Sequence, residues 1–180
     1  MRLKVWMILA AAALLLSCTK ESRELVYTNQ EKNIESFVQK QMAADPGLRV
    51  VYNGHATRLV MVEGEGPELT ARGKASVYFA GYNFSSGSIG SSYLFATNSR
   101  DLASSSGWSL SDDSVYEVLD LDLTDKGLLQ GLRDGMEGVR EGEECYILFS
   151  GKYAFGKNKI GTIPANAPLA FRIWVLSVEN

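Results

Sequence analysis

The sequence is short of side chains that make and break bonds. It has one histidine, His55, and two cysteines, Cys18 and Cys145. A histidine metal centre or a histidine-based catalytic pair needs partners, and no second histidine exists to supply one. His55 adjoins the turn Asn53-Gly54 and reads as a surface turn residue. Positive charge is not in excess, with 18 Lys and Arg against 21 Asp and Glu. The net charge is −3, and no basic cluster follows the N-terminus, which argues against a nucleic-acid partner. The stretch "YAFGKNKIGTIPANAPLAF", residues 153–171, contains no His, Asp, Glu, Cys or Ser. It is rich in shape instead, with aromatics at both ends and a Gly-x-Ile-Pro turn. Such a composition points away from general acid–base or nucleophilic chemistry. No metal and no cofactor is expected.

What is present begins with a leader. "MRLKVWMILAAAALLLSC" places Arg2 and Lys4 before an apolar run from Val5 to Leu16. The run is short for a membrane span and has the layout of a secretory signal. Its end, Leu15-Leu16-Ser17-Cys18, resembles the lipobox of bacterial lipoproteins. That resemblance implies cleavage before Cys18, lipidation of Cys18, and an anchor on the outer side of a bacterial membrane, with the periplasmic face expected. The alternative is an ordinary signal peptide that contains a cysteine. An acyl chain contributes about 0.8 kcal/mol per buried CH₂, and more than one chain is needed for a stable anchor. With Cys18 lipidated, Cys145 has no partner for a disulfide within the chain. Cys145 lies in the alternation Cys145-x-Ile147-x-Phe149 and reads as a small core residue.

The expected organisation is a signal over 1–17, a lipidated tether over 18–28, a helix over 29–47 and one folded domain over 48–180. In the helix, Ile34, Phe37, Val38 and Met42 recur at near-helical spacing, and Pro46-Gly47 ends the pattern. The period then changes to two. "LRVVYNG", "ATRLVMVEG", "KASVYFAGYNF", "SYLFATN", "SVYEVLDLDL", "EECYILFS" and "APLAFRIWVLSVE" read as strands. "SRDLASSSGW" allows a helical turn. Asp120 and Asp122 share one strand face, which reads as solvated, with Leu119, Leu121 and Leu123 opposite. Leu128, Leu129, Leu132 and Met136 fall on one helical face interrupted by Gly131 and Gly135. Glycine costs a helix about 1 kcal/mol relative to alanine. Two in a short helix imply that something packs closely on its backbone. The fold class is therefore α+β: an antiparallel curved β-sheet wrapped around a short α-helix, with an added N-terminal helix.

The order of pieces from Gly131 onward is similar to the FKBP-type peptidyl-prolyl cis-trans isomerases. Gly131-Leu132 with Gly135 stands where that family has Gly-Trp-x-x-Gly. Gly142, Tyr153-Ala154-Phe155-Gly156, Gly161-Thr162-Ile163-Pro164 and Phe171 follow in the family's order. The resemblance covers about residues 48–178 and is weaker in the first half. It implies a site in which Phe95, Leu129, Leu132, Phe155, Ile163 and Phe171 form the catalytic slot. Phe79, Leu128 and Ile160 would contact substrate. The family's first-strand tyrosine falls at Phe79 or Ala80. It also implies proline-containing polypeptides as partners.

The implied reaction suits a stretch without acids or bases. Turning an X–Pro amide crosses a barrier of about 18–20 kcal/mol and needs no covalent intermediate. A dry apolar pocket disfavours the planar, polar amide relative to the twisted one. This chain departs from the family always toward apolar. Leu132 replaces the floor Trp, Phe155 a hydroxyl-bearing Tyr, and Ala96 an Asp. Two functions follow: an isomerase assisting the folding of exported proteins, or a non-catalytic lipid-anchored chaperone or peptide-binding module. A structural lipoprotein using the fold as scaffold is a third class.

Overall fold

The structure, a computed structural model, describes residues 2–108 and 110–180, with side chains from residue 20 onward. Cys18 and the leader over 1–17 lie outside the residues whose side chains are described. The first element is a helix, α1, over Arg2–Ala44. It runs through the segments read as leader and tether because no Gly or Pro occurs before Pro46 to interrupt it. It stops just ahead of Asp45-Pro46-Gly47, as the sequence suggests.

Seven strands follow: β1 (Arg49–Asn53), β2 (Ala56–Val62), β3 (Lys74–Asn83), β4 (Leu94–Thr97), β5 (Leu119–Asp122), β6 (Glu144–Phe149) and β7 (Leu169–Glu179). They form one antiparallel sheet in the order β1-β2-β6-β7-β3-β4, with β5 also on β3. Lys74–Val77 of β3 pair with β5, and Ala80–Tyr82 pair with β4. Register shifts in the β2–β6, β3–β4 and β3–β7 ladders add twist. Two short helices, α2 (Arg100–Ser105) and α3 (Gln130–Met136), complete the domain.

Alternation along the strands sends one set of side chains to each face. Leu169, Phe171, Ile173 and Val175 of β7 join Cys145, Ile147 and Phe149 of β6 in a concave core closed by Leu132 and Met136 of α3. Ala170 and Leu148 face the other way, toward Ile34 and Val38 of α1. The sheet is thus covered on both faces, by α3 on one and α1 on the other.

The two glycines of α3 have the role expected of them. A Cβ on Gly131 would lie 2.2 Å from Phe149 Cγ, and one on Gly135 would lie 2.1 Å from Ile147 Cγ2. The helix backbone rests directly on β6. Cys145 is fully buried there, and burial pushes its thiol well above the ordinary range, so it is no nucleophile.

Three local expectations need correction. The strand read over 114–123 is shorter: Asp113–Tyr116 form a 3₁₀ turn instead. Asp112 accepts a hydrogen bond from Ser114 N–H, and this local bond competes with the ladder. Leu119, expected inward with Leu121 and Leu123, is exposed at the free end of this edge strand. Leu128 and Leu129 lie before α3 rather than in it. The Asp125 carboxylate accepts from Gly127 N–H and its carbonyl from Leu128 N–H, holding a turn there.

Candidate functional site

Phe171 is the centre of an aromatic group on the concave face. Phe149 stacks on it at 5.9 Å and 11°, Phe95 meets it edge-on at 5.9 Å and 86°, and Phe79 lies at 6.3 Å and 44°. Four strands contribute these rings: β7, β6, β4 and β3. Gly81 faces Phe171 across the ladder, and a Cβ there would lie 2.6 Å from Phe95 Cζ. The missing side chain is what lets the Phe95 ring fold over the strand.

The backbone of Phe79 is held from both sides. Its N–H donates to Asn98 Oδ1 at 2.6 Å, and its carbonyl accepts from Thr97 Oγ1 at 2.6 Å. Asn98 also donates to the carbonyls of Val77 and Glu117. This buried amide fills the gap in the ladder where β5 ends and β4 begins. Phe79 therefore presents its ring to Phe171, while Ala80 is buried on the opposite face. Of the two positions read for that strand, Phe79 is the one on the Phe171 side.

Leu132, Ile163 and Phe171 are buried and form the floor. Phe79, Phe95, Leu128, Leu129 and Phe155 are partly buried and pack against that same cluster as a rim. Eight of the nine residues singled out from the sequence thus meet in one apolar group. Ile160 does not join it: it is 46% exposed. Ile160 and Ile163 bracket a tight turn, with Ile163 N–H donating to the Ile160 carbonyl at 2.8 Å and Gly161 at φ 54°. Of this bridged pair, Ile163 is buried and Ile160 is exposed. Phe149 was read only as a core residue of an alternating strand. Its stacking on Phe171 carries no sequence signal beyond that alternation.

Polar groups stand at the periphery. Leu129 precedes α3, and no side chain caps that end. The first N–H groups of a helix have no intrahelical acceptor. At the other end, Arg58 donates to the carbonyls of Gly135, Glu137 and Gly138 at 2.7, 2.8 and 3.1 Å. A guanidinium there complements the negative end of the helix. Arg58 lies 3.1 Å from Glu143, both buried, though the pair is misaligned for a hydrogen bond. Burial raises the Glu143 carboxyl above its ordinary pKa, against the pull of Arg58 and Arg49.

His55 is more engaged than a surface turn residue. Its N–H donates to Asp134 Oδ2 at 2.9 Å, its Nδ1 lies 2.8 Å from the same oxygen, and its ring sits 3.9 Å from that of Tyr153. It docks the β1–β2 turn on α3. Among the described residues, no group of three or more His, Cys, Asp and Glu side chains could hold a metal ion.

The arrangement is an aromatic and aliphatic group, with Leu132, Ile163 and Phe171 buried and Phe79, Phe95 and Phe155 partly buried against them. Residues 107–176 match the family model described as FKBP-type peptidyl-prolyl cis-trans isomerase. Phe79 and Phe95 lie outside that segment. No curated protein matches the chain. Among solved structures, FkpA from Escherichia coli is 18% identical with a TM-score of 0.56, over 96% of this chain and 70% of that one. A peptidyl-prolyl cis-trans isomerase from Pseudomonas syringae pv. tomato is 17% identical with a TM-score of 0.58, over 87% and 96%. The N-terminal domain of FKBP42 from Arabidopsis thaliana is 14% identical with a TM-score of 0.55, over 73% and 93%. At these identities the structural likeness establishes an FKBP-like α+β fold, and residues 107–176 are similar to the FKBP-type peptidyl-prolyl cis-trans isomerase family.

Proposed function

We propose that this chain binds proline-containing polypeptides on the Phe171 surface and speeds their cis–trans isomerisation outside the cytoplasm, held to a membrane by lipid on Cys18. The observation that carries the reading is the ring of Phe79, Phe95 and Phe149 about Phe171, closed by Leu132 and Ile163. A pyrrolidine ring suits such a surface. The amide loses its polarity as it twists, so an apolar site binds the twisted state better than the planar one. Each 1.4 kcal/mol or so of that difference is worth about tenfold in rate. N–H groups at the start of α3, which no side chain caps, are donors that a flanking carbonyl could use.

A specific observation favours the second reading, a peptide-binding chaperone without catalysis. Phe155 and Leu132 remove the hydroxyl and the flat indole that the family resemblance would place at this surface. A lost hydrogen bond costs about 0.5–1.5 kcal/mol. A protease-coupled assay on X-Pro peptides decides between the two. Acceleration that Ile163→Ala lowers by about tenfold or more supports the isomerase. No acceleration at micromolar protein, with suppressed aggregation of an unfolded client, selects the chaperone.

A further inference from the structure

The excursion from Gly151 to Asn166 leaves the sheet between β6 and β7 and carries Tyr153, Phe155 and Ile163. Its two ends approach closely: a Cβ on Gly151 would lie 2.2 Å from the Asn166 carbonyl oxygen. A single side chain of α1 joins them. Gln30 Nε2 donates to the Asn166 carbonyl at 2.7 Å, and Gln30 Oε1 accepts from Gly151 N–H at 2.9 Å. Tyr27, buried on the same face of α1, donates its hydroxyl to Asn166 Oδ1 at 2.7 Å. Asn166 N–H donates in turn to the Gly156 carbonyl at 2.6 Å.

Asn166 is the one non-glycine among the described residues with positive φ, at 59°. That conformation is costly for an L residue unless its surroundings hold it. Here every polar group of the residue's backbone is engaged, and its side-chain oxygen is too. Ile163 lies three residues upstream, with Pro164 between. Its inward placement therefore depends on where Asn166 is pinned. The pins come from Tyr27 and Gln30, in the helix that the family match does not reach. Farther along α1, Ile34 and Val38 rest on the sheet's convex face and fix the helix itself. The exposed pair Lys152–Glu24 at 3.0 Å adds little.

We infer that Tyr27 and Gln30 are positioning residues: α1 reaches past the sheet edge to hold the Gly151–Asn166 excursion, and so sets Ile163 and Phe155 for the bound proline. The substrate clause of this inference rests on the proposed function; the holding does not. Lys157 and Lys159 are exposed in the same excursion and report its opening to trypsin. In the full chain, Gln30→Met removes two hydrogen bonds while keeping length, and Tyr27→Phe removes one hydroxyl. Gln30→Met is expected to speed cutting after Lys157 and Lys159 by about tenfold, and Tyr27→Phe by about threefold. Gln30→Met is also expected to raise KM for an X-Pro peptide by a similar factor and to change kcat much less. Phe37→Ala, over the sheet on the same helix, is the control: it lowers the melting temperature without opening those two sites. Unchanged cutting in Gln30→Met and Tyr27→Phe overturns the inference, as does equal acceleration in Phe37→Ala. Faster cutting in a chain whose wild type has no isomerase activity overturns the proposed function and leaves the holding role standing.

Discussion

The two faces of the sheet are packed by opposite means. On the concave face a helix of seven residues lies so close to β6 that only glycine fits at Gly131 and Gly135. Leu132 and Met136 then meet the rings and branched side chains of four strands. On the convex face a much longer helix sits farther off, on ordinary side chains. Ile34, Phe37 and Val38 fill the space above Leu59, Tyr82, Phe84 and Leu148, with Phe37 edge-on to Phe84 at 5.2 Å. Close approach of α3 to β6 is what brings Leu132 and Met136 into the core with Ile147 and Phe149. Phe149 and Phe171 are buried in the core that this helix closes, while Phe79, Phe95 and Phe155 stay partly exposed against it. A helix standing off on its side chains covers the sheet and leaves its loop-facing residues for clamping.

If this contrast is right, the most damaging change is on the concave face. Phe171→Ala removes a buried ring with three aromatic neighbours and is expected to cost about 3–5 kcal/mol in urea unfolding, as well as peptide binding. Gly135→Ala comes next. The helix gains about 1 kcal/mol of propensity, but the added methyl meets Ile147 near its branch point, and the net loss is expected at about 1–3 kcal/mol. A neutral or stabilising result by calorimetry would mean that α3 stands off as α1 does. On the convex face, Phe37→Ala truncates a half-buried ring, with an expected loss of about 1–2 kcal/mol and no loss of peptide affinity.

The smallest effect is that of acid, followed as melting temperature from about pH 7 to 3. Glu63 is held below the ordinary carboxylate range by hydrogen bonds from Arg49, Glu68 by one from Arg140, and Asp122 by those of Thr124. A lowered folded-state pKa gives stability that is present above the unfolded value, about 4, and lost as pH falls through the folded one. Glu143 runs the other way. Its pKa is raised by burial, so protonation in the same range favours the folded state. The melting temperature should therefore fall only slightly with acid. Glu143→Gln should steepen that fall, and an unchanged slope would show that Glu143 does not titrate there.

The strands were legible because alternation is local. β1, β2, β3, β6 and β7 fall where the period-two runs place them, and Gly131 and Gly135 announced a close neighbour. The floor and rim residues Leu132, Ile163, Phe171 and Phe155 were legible through motif order, since the turn and strand that carry them are short and continuous. Phe79 was not distinguishable from Ala80, because a strand's facing depends on the register shift in the β3–β7 ladder. The 3₁₀ turn at Asp113–Tyr116 was missed because a capping aspartate competes with a strand pattern that looks complete.

Where β1, β2, β3, β6 and β7 run, and where α1 stops before Pro46-Gly47, follow from composition and spacing within a few residues. Those properties are set by backbone geometry and side-chain type, and they hold before any distant contact forms. The clasp of Tyr27 and Gln30 on Asn166 is of another kind, since its partners are 139 and 136 residues apart. No periodicity encodes such a pairing. It exists because both faces of the sheet are already built, so that α1 and the Ile163 turn arrive within hydrogen-bonding reach of each other.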